Sequence, residues 1–308
     1  MWRHRFARAA LAGLVCLAGC AADHDARMLI EPAPVFGQMA LSIAGDDNDL
    51  SRRGVIDLHV CITADDGADV DAWVIRSYRA GSARATAILL HPLGLSKSWF
   101  LPLGRLLSEN GWDVVLVDLR GHGHSSGRYI TWGVKERYDI KKLVDDLLAR
   151  RAIQEQIYVM GASLGGCVAI QYAAIDPRCK GVLAFAPPAG IRPVADLFLP
   201  LRPANYLDQV VLRAGQLAAF DPAQANTVEA ARRLNCPLII AYGVWDFIVP
   251  YQHSQQIYDV AAGRKKLIPV FFANHITLQI GRDSWLMEQM NLLEEMGRDI
   301  NVLTRAGS

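Results

Sequence analysis

Ser163 stands in the run Gly161-Ala162-Ser163-Leu164-Gly165-Gly166, directly after the lead-in Ile157-Tyr158-Val159. A serine hydroxyl works as a nucleophile when it stands clear of its own strand. A sharp strand-to-helix turn achieves this, at the cost of strained dihedrals. Such a turn brings the flanking backbone so close that a Cβ would clash, which glycine at 161 and 165 avoids. The N–H groups opening the next helix would then face the reacting centre. A serine also needs a base, and the base needs an acid to orient it. Asp246 follows the apolar run "PLIIAYG" and His275 follows "LIPVFF". Both are strand ends, where open α/β sheets carry their working residues. In the chain order Ser163, Asp246, His275, these side chains could perform acyl transfer to water. That chemistry calls for no cofactor and no metal.

The elements that must position them can be read from hydrophobic runs. Residues 56–79 alternate apolar and polar side chains around Asp65-Asp66-Gly67, which predicts an antiparallel hairpin. Continuous apolar runs at 85–91 and 112–119 predict strands buried on both faces, and the runs at 156–163, 181–187, 237–243 and 265–272 predict four more strands. Helix-period segments lie between them, at 98–111, at 139–152 and from Leu164, with a last one near 283–297. In the segment from Asp139, Ile140, Leu143, Val144, Leu147 and Leu148 make one apolar face. Strands alternating with helices predict an α/β fold, a mostly parallel twisted sheet with helices on both faces and the hairpin extending one edge. One segment, 188–235, breaks the alternation between the strands near 182–186 and 237–242. Its length predicts structure of its own, a small helical lid whose leucines and valines suggest an apolar acyl pocket or simply pack the lid onto the body.

Three further stretches complete a resemblance. "HPLG" at 91–94, "DLRGHGHSSG" at 118–127 and "ITWGVKERYD" at 130–139, together with the Ser…Asp…His order, resemble the α/β-hydrolase superfamily, in its esterase and serine aminopeptidase-like branch. The resemblance covers roughly residue 55 to the C-terminus. It implies Ser163 as nucleophile, His275 as general base, Asp246 as its orienter, and the backbone N–H groups of Leu93 and Leu164 as an oxyanion hole. The sequence departs from the family at Pro92 and Asn274, where glycines are common. The implied activity is hydrolysis of a carboxylic ester of small or medium acyl chain. A serine peptidase or thioesterase of the same fold, or a catalytically inactive binding lipoprotein, are the alternatives. A serine rather than an aspartate at the turn argues against epoxide hydrolase chemistry. His91 falls on the oxyanion loop. His122 and His124 fall in a turn where they would hydrogen-bond loop backbone, and Cys167 falls one helical turn past Ser163, in the core.

The 308 residues carry a formal net charge of +1, are 52% hydrophobic and 20% charged, and have no long charged run. Nothing there asks for a nucleic-acid partner; a small-molecule acyl substrate is the expected partner, and the oligomeric state stays open. The N-terminus is distinct. Arg3, Arg5 and Arg8 precede an apolar run at 9–19, which as a helix would rise only about 16 Å, too short to cross a bilayer. Residues 1–19 are thus expected to be a signal peptide. Leu17-Ala18-Gly19-Cys20 resembles the lipobox of bacterial lipoproteins, which implies a lipid on Cys20 and a membrane partner through it. Residues 20–54 would then be a tether, and 55–308 the catalytic body. With Ala21 after the cysteine, the expected location is the bacterial cell envelope, on the outer membrane facing the periplasm. Export would permit disulfides. Cys179 and Cys236 each precede an expected strand, so a bridge between them is weighed against two buried thiols.

Overall fold

The computed structural model describes residues 21–32, 47–78 and 83–306. Positions 1–19 and Cys20 lie outside these, and so do the expectations attached to them. Eight strands form one sheet: β1 Leu58–Thr63, β2 Asp69–Ile75, β3 Ala85–Leu90, β4 Trp112–Val117, β5 Ile157–Ala162, β6 Cys179–Phe185, β7 Leu238–Gly243 and β8 Lys265–Val270. Their order across the sheet is β1-β2-β4-β3-β5-β6-β7-β8. The hairpin β1–β2 joins β4 antiparallel, and the pairings of β3 with β4 and β5, and on through β8, are parallel. This is the expected α/β-hydrolase fold. Strands β3, β4 and β5 are buried along their whole length, which explains their unbroken apolar sequences. Edge strand β1 alternates buried and exposed residues.

The helices are α1 Asp47–Arg52, α2 Leu101–Glu109, α3 Glu136–Ala149, α4 Leu164–Ala173, α5 Ile191–Phe198, α6 Ala204–Ala218, α7 Thr227–Ala231, α8 Tyr251–Val260 and α9 Asp283–Ala306. One face of the sheet packs against Ile140, Leu143, Val144 and Leu147 of α3, Val168 and Ile170 of α4, and Leu207 and Val210 of α6. The other face packs against Leu103 and Leu107 of α2 and Leu286, Met290 and Leu293 of α9. Helix α3 begins three residues before the expected Asp139. The buried Glu136 carboxylate accepts from the N–H groups of Thr131 and Gly133 at 2.7 and 2.9 Å, and so fastens the preceding loop to the first turn. The connection from β6 to β7 holds α5, α6 and α7.

One expectation needs correction, and one open alternative is decided. Of the supposed tether, residues 21–30 are helical and docked, because Ala26, Leu29 and Ile30 are buried in the core. Asp25 accepts from the Tyr206 hydroxyl at 2.8 Å, Asp23 pairs with Arg213, and the Leu29 carbonyl accepts from the Trp132 indole at 2.8 Å. The bridge weighed between Cys179 and Cys236 is not formed; both are free, buried thiols. A register irregularity, where Ile157 pairs with Cys179 but Tyr158 with Gly181, accompanies their approach. The neighbouring Cys236 thiol and burial together push the Cys179 thiol well up.

A buried ion cluster sits beneath the loop after β3. Lys97, with a fully buried side chain, lies 2.6 Å from both Asp118 Oδ2 and Asp71 Oδ1 and 4.6 Å from the centre of the Trp73 ring. Burial pulls the ammonium down, but Asp118 and Asp71 outweigh it and hold Lys97 above the ordinary lysine range. Removing one member of such a cluster leaves buried charge uncompensated. Lys97→Met should therefore destabilise the fold by about 3–5 kcal/mol. Urea unfolding checks this, and an unchanged midpoint would refute it.

Candidate active site

Strand β5 ends at Ala162, and the chain turns at Ser163 with φ 51° and ψ −115° before α4 begins. The left-handed φ is unfavourable for a residue with a Cβ. Close approach of backbone on both sides explains the two glycines. A Cβ on Gly161 would sit 2.1 Å from the Gly165 carbonyl oxygen, and one on Gly165 would sit 2.1 Å from that of Leu90. The Ser163 N–H donates to the Phe185 carbonyl at 2.8 Å, tying the turn to β6. Its hydroxyl makes no hydrogen bond among the described residues.

Asp246 lies in the turn after β7. Its Oδ1 accepts from the N–H groups of Ile248 at 3.0 Å and Val249 at 2.8 Å, and its Oδ2 lies 2.7 Å from His275 Nδ1. With both oxygens engaged, the carboxylate has little freedom to rotate. Nδ1 must be the protonated ring nitrogen of His275, which leaves Nε2 as the acceptor. Asn274 does what a glycine could not. Its side-chain oxygen accepts from the N–H groups of Ile276 at 3.0 Å and Thr277 at 2.9 Å, so it shapes the loop that presents the histidine.

Ser163 and His275 line one cavity of about 390 Å³, with Pro92 and Leu93 on its wall. The other walls are mostly apolar, from Trp99, Trp132, Val194, Leu197, Phe198 and Ile248, with Gln279 as a polar member. The structure therefore brings together Ser163, His275, Asp246 and the Leu93 loop. The N–H of Leu164 opens α4, and neither it nor the N–H of Leu93 is taken by an acceptor among the described residues. Trp132 was not singled out in the sequence. Its backbone has φ 53°, Gln171 holds its carbonyl at 2.6 Å, and the docked N-terminal helix holds its indole. The glycine after it is the only hint that the sequence carries.

Two histidines outside the catalytic set build the Leu93 loop. His91 Nδ1 lies 2.8 Å from the Pro92 carbonyl, and Nε2 accepts from the Leu119 N–H at 3.0 Å. His122 Nδ1 lies 3.1 Å from the Arg120 carbonyl, and Nε2 accepts from the Gly94 N–H at 3.1 Å. Each ring thus donates from Nδ1 and is neutral. The shape of the Pro92 loop comes from these anchors rather than from a glycine at 92. Burial and the neighbouring His122 push His91 down to about 3, and burial lowers His122. The unfolded chain binds protons on both rings at the ordinary imidazole pKa of about 6.5. Their contribution to stability is therefore complete above that pH and is lost as pH falls toward 3. Melting temperatures measured from neutral pH down to about pH 4 should fall steadily. His91→Gln, which removes the largest of these shifts, should flatten the slope.

Cys167 and Ser125 are structural. Burial pushes the Cys167 thiol up to about 12, and its Sγ donates to the Pro188 carbonyl at 3.2 Å. The Ser125 hydroxyl donates to the Asp118 carbonyl at 2.7 Å and accepts from the Asp71 N–H at 2.8 Å. His124 does not bond loop backbone through its ring as expected; Nδ1 lies 3.1 Å from Asp47 Oδ2.

Comparison with known proteins agrees with this architecture. A family model described as serine aminopeptidase, S33, matches residues 81–211. That span contains Ser163 but ends before Asp246 and His275, whose places rest on the geometry above. Protein YfhR of Salmonella typhimurium is 27% identical over 230 residues, covering 72% of this chain and 76% of its own. Epoxide hydrolase B of Mycobacterium tuberculosis is 34% identical over 128 residues, 39% of this chain and 34% of that protein. Among solved structures, the esterase Pf2001 of Pyrococcus furiosus superposes with a TM-score of 0.63 at 23% identity, covering 80% of this chain and 95% of the esterase.

Proposed function

We propose that the chain is a hydrolase of the α/β-hydrolase fold that cleaves carboxylic esters of small or medium acyl chain through a covalent acyl group on Ser163. One observation carries this reading: His275, held by Asp246 at 2.7 Å, lines the same largely apolar cavity as Ser163. His275 Nε2 takes the hydroxyl proton as Ser163 Oγ bonds to the ester carbonyl carbon. The carbonyl electron pair moves onto oxygen, where the N–H groups of Leu93 and Leu164 receive it. A single donor of this kind is worth on the order of 10²–10³ in rate. The pair returns, the carbon–oxygen bond to the alcohol breaks, and His275 gives the alcohol its proton. Water repeats the sequence on the acyl-serine and frees the acid. Throughout, the Asp246 carboxylate stabilises the imidazolium.

Peptide substrates are a second reading, favoured by the serine aminopeptidase description of the family model over 81–211. Thioesters would need the same steps. Epoxide opening, the chemistry named for the Mycobacterium tuberculosis relative, fits poorly, because the turn carries a hydroxyl where a carboxylate would be needed. A series of p-nitrophenyl esters of rising chain length, run beside aminoacyl-naphthylamides, separates ester from peptide. Faster amide turnover would overturn the ester assignment. A fluorophosphonate probe addresses the inactive alternative: folded protein that takes no label at Ser163 would make the chain a binding lipoprotein. We also propose that a lipid on Cys20 anchors the chain in the bacterial envelope, at the periplasmic face of the outer membrane. Mass spectrometry of the mature N-terminus tests this, and an unmodified start would reject it.

A further inference from the structure

Around the start of the loop after β4, four side chains from four separate segments converge. His59 lies on β1, Asp71 on β2, Asp47 opens α1, and His124 lies in the loop after β4. The antiparallel register sets His59 opposite Trp73 and Cys61 opposite Asp71, so His59 and Asp71 project from the same face of the hairpin. Asp47, Asp71 and His124 each carry a donor atom within 4.8 Å of the others. His59 Nε2 lies 2.5 Å from Asp71 Oδ2 and 3.4 Å from Asp47 Oδ2, and His124 Nδ1 lies 3.1 Å from Asp47 Oδ2. Neighbouring ligands of a tetrahedral zinc ion, bound at about 2.0–2.2 Å, stand about 3.3 Å apart; the two imidazole distances from Asp47 suit such an ion, while His59 Nε2 must first give up its 2.5 Å hydrogen bond to Asp71 Oδ2. Metal-ligating carboxylates commonly have their second oxygen held from outside. Here the Trp73 indole N–H donates to Asp47 Oδ1 at 2.6 Å, and Lys97 Nζ lies 2.6 Å from Asp71 Oδ1. Each carboxylate thus turns its other oxygen toward the imidazoles.

The charges lead the same way. Asp47, Asp71 and Asp118 bring three negative charges, and Lys97 brings one positive charge. Imidazoles bind a metal in their neutral form, and in that form the site would keep two net negative charges, which a divalent cation would balance. Mixed imidazole and carboxylate donors favour a transition metal over magnesium or calcium. We propose that Asp47, Asp71, His59 and His124 bind a divalent transition-metal ion of the zinc class, which clips α1 and the loop after β4 to the β1–β2 hairpin. His59 and His124 are partly exposed, so an ion can enter from solvent, and a small swing of the His59 ring brings in the fourth donor. The loop held in this way also carries His122, which anchors Gly94 and with it the Leu93 loop.

The proposal is independent of the substrate. The test strips the full chain with a chelator and dialyses it near neutral pH against Zn²⁺, or against Co²⁺ as a spectroscopic stand-in. The expected results are one retained equivalent of zinc, a visible Co²⁺ absorption band of a four-coordinate site, and a melting temperature that rises with metal. Both histidines are surface residues, so a His59→Ala/His124→Ala double variant should fold, keep esterase turnover and lose all three signals. The chain has other histidines, so equal zinc retention by the double variant would place the ion elsewhere and overturn the proposal. It falls equally if the unmodified chain retains no zinc, or if Ca²⁺ binds as tightly.

Discussion

Ser163→Ala is expected to lower kcat on p-nitrophenyl esters by on the order of 10⁴–10⁶ and to abolish fluorophosphonate labelling, with little change in melting temperature. The hydroxyl has no hydrogen-bond partner among the described residues, so its loss leaves no buried group orphaned. The backbone at this residue, however, is held at φ 51°. A residue with a Cβ in such a conformation costs on the order of 1–3 kcal/mol. Ser163→Gly should therefore be equally inactive yet more stable than the wild type, by about 1 kcal/mol, or about 2–4 °C in a domain of this size. The pair of variants separates two roles of one residue. If Ser163→Ala kept more than a small fraction of activity, another nucleophile would be at work. If Ser163→Gly were no more stable, the strain at the turn would be smaller than its dihedrals imply.

The second large effect is at Asp246. Asp246→Asn preserves shape, and its remaining oxygen can still accept from Ile248 and Val249, so the loop should fold as before. The amide turned toward His275 Nδ1 is then free to donate instead of accept. That favours the tautomer protonated at Nε2, which cannot take the Ser163 proton. A loss in kcat on the order of 10³–10⁴, with KM and melting temperature close to wild type, is the expected outcome. A comparable fall in stability would instead mean that the carboxylate serves mainly to hold its own turn.

Much of this was legible in the sequence because the fold writes its core in continuous apolar runs. Eight strands follow the hydrophobic pattern, and Ser163, Asp246 and His275 all lie just past strand ends. Pattern alone could not reveal contacts between distant segments. The helix at 21–30 is followed by a proline-bearing stretch and has too few apolar residues to announce docking. Its burial depends on Tyr129, Trp132 and Tyr206, none of them near it in sequence. The role of Asn274 was equally hidden, since an asparagine that folds a loop by accepting two N–H groups looks like a mere substitution for glycine. The Asp47, His59, Asp71 and His124 cluster leaves no mark in sequence spacing, because its four side chains lie on four separate segments.

The docked N-terminal helix has a consequence for reach. Position 20 precedes residue 21 by one peptide step of about 3.8 Å, and Asp23 and Asp25 are already fastened to the body by Arg213 and Tyr206. A fatty chain attached at position 20 would come with no leash. Under the proposed anchoring, the globule would be held close to the bilayer and would chiefly meet molecules that travel along that surface or arrive there.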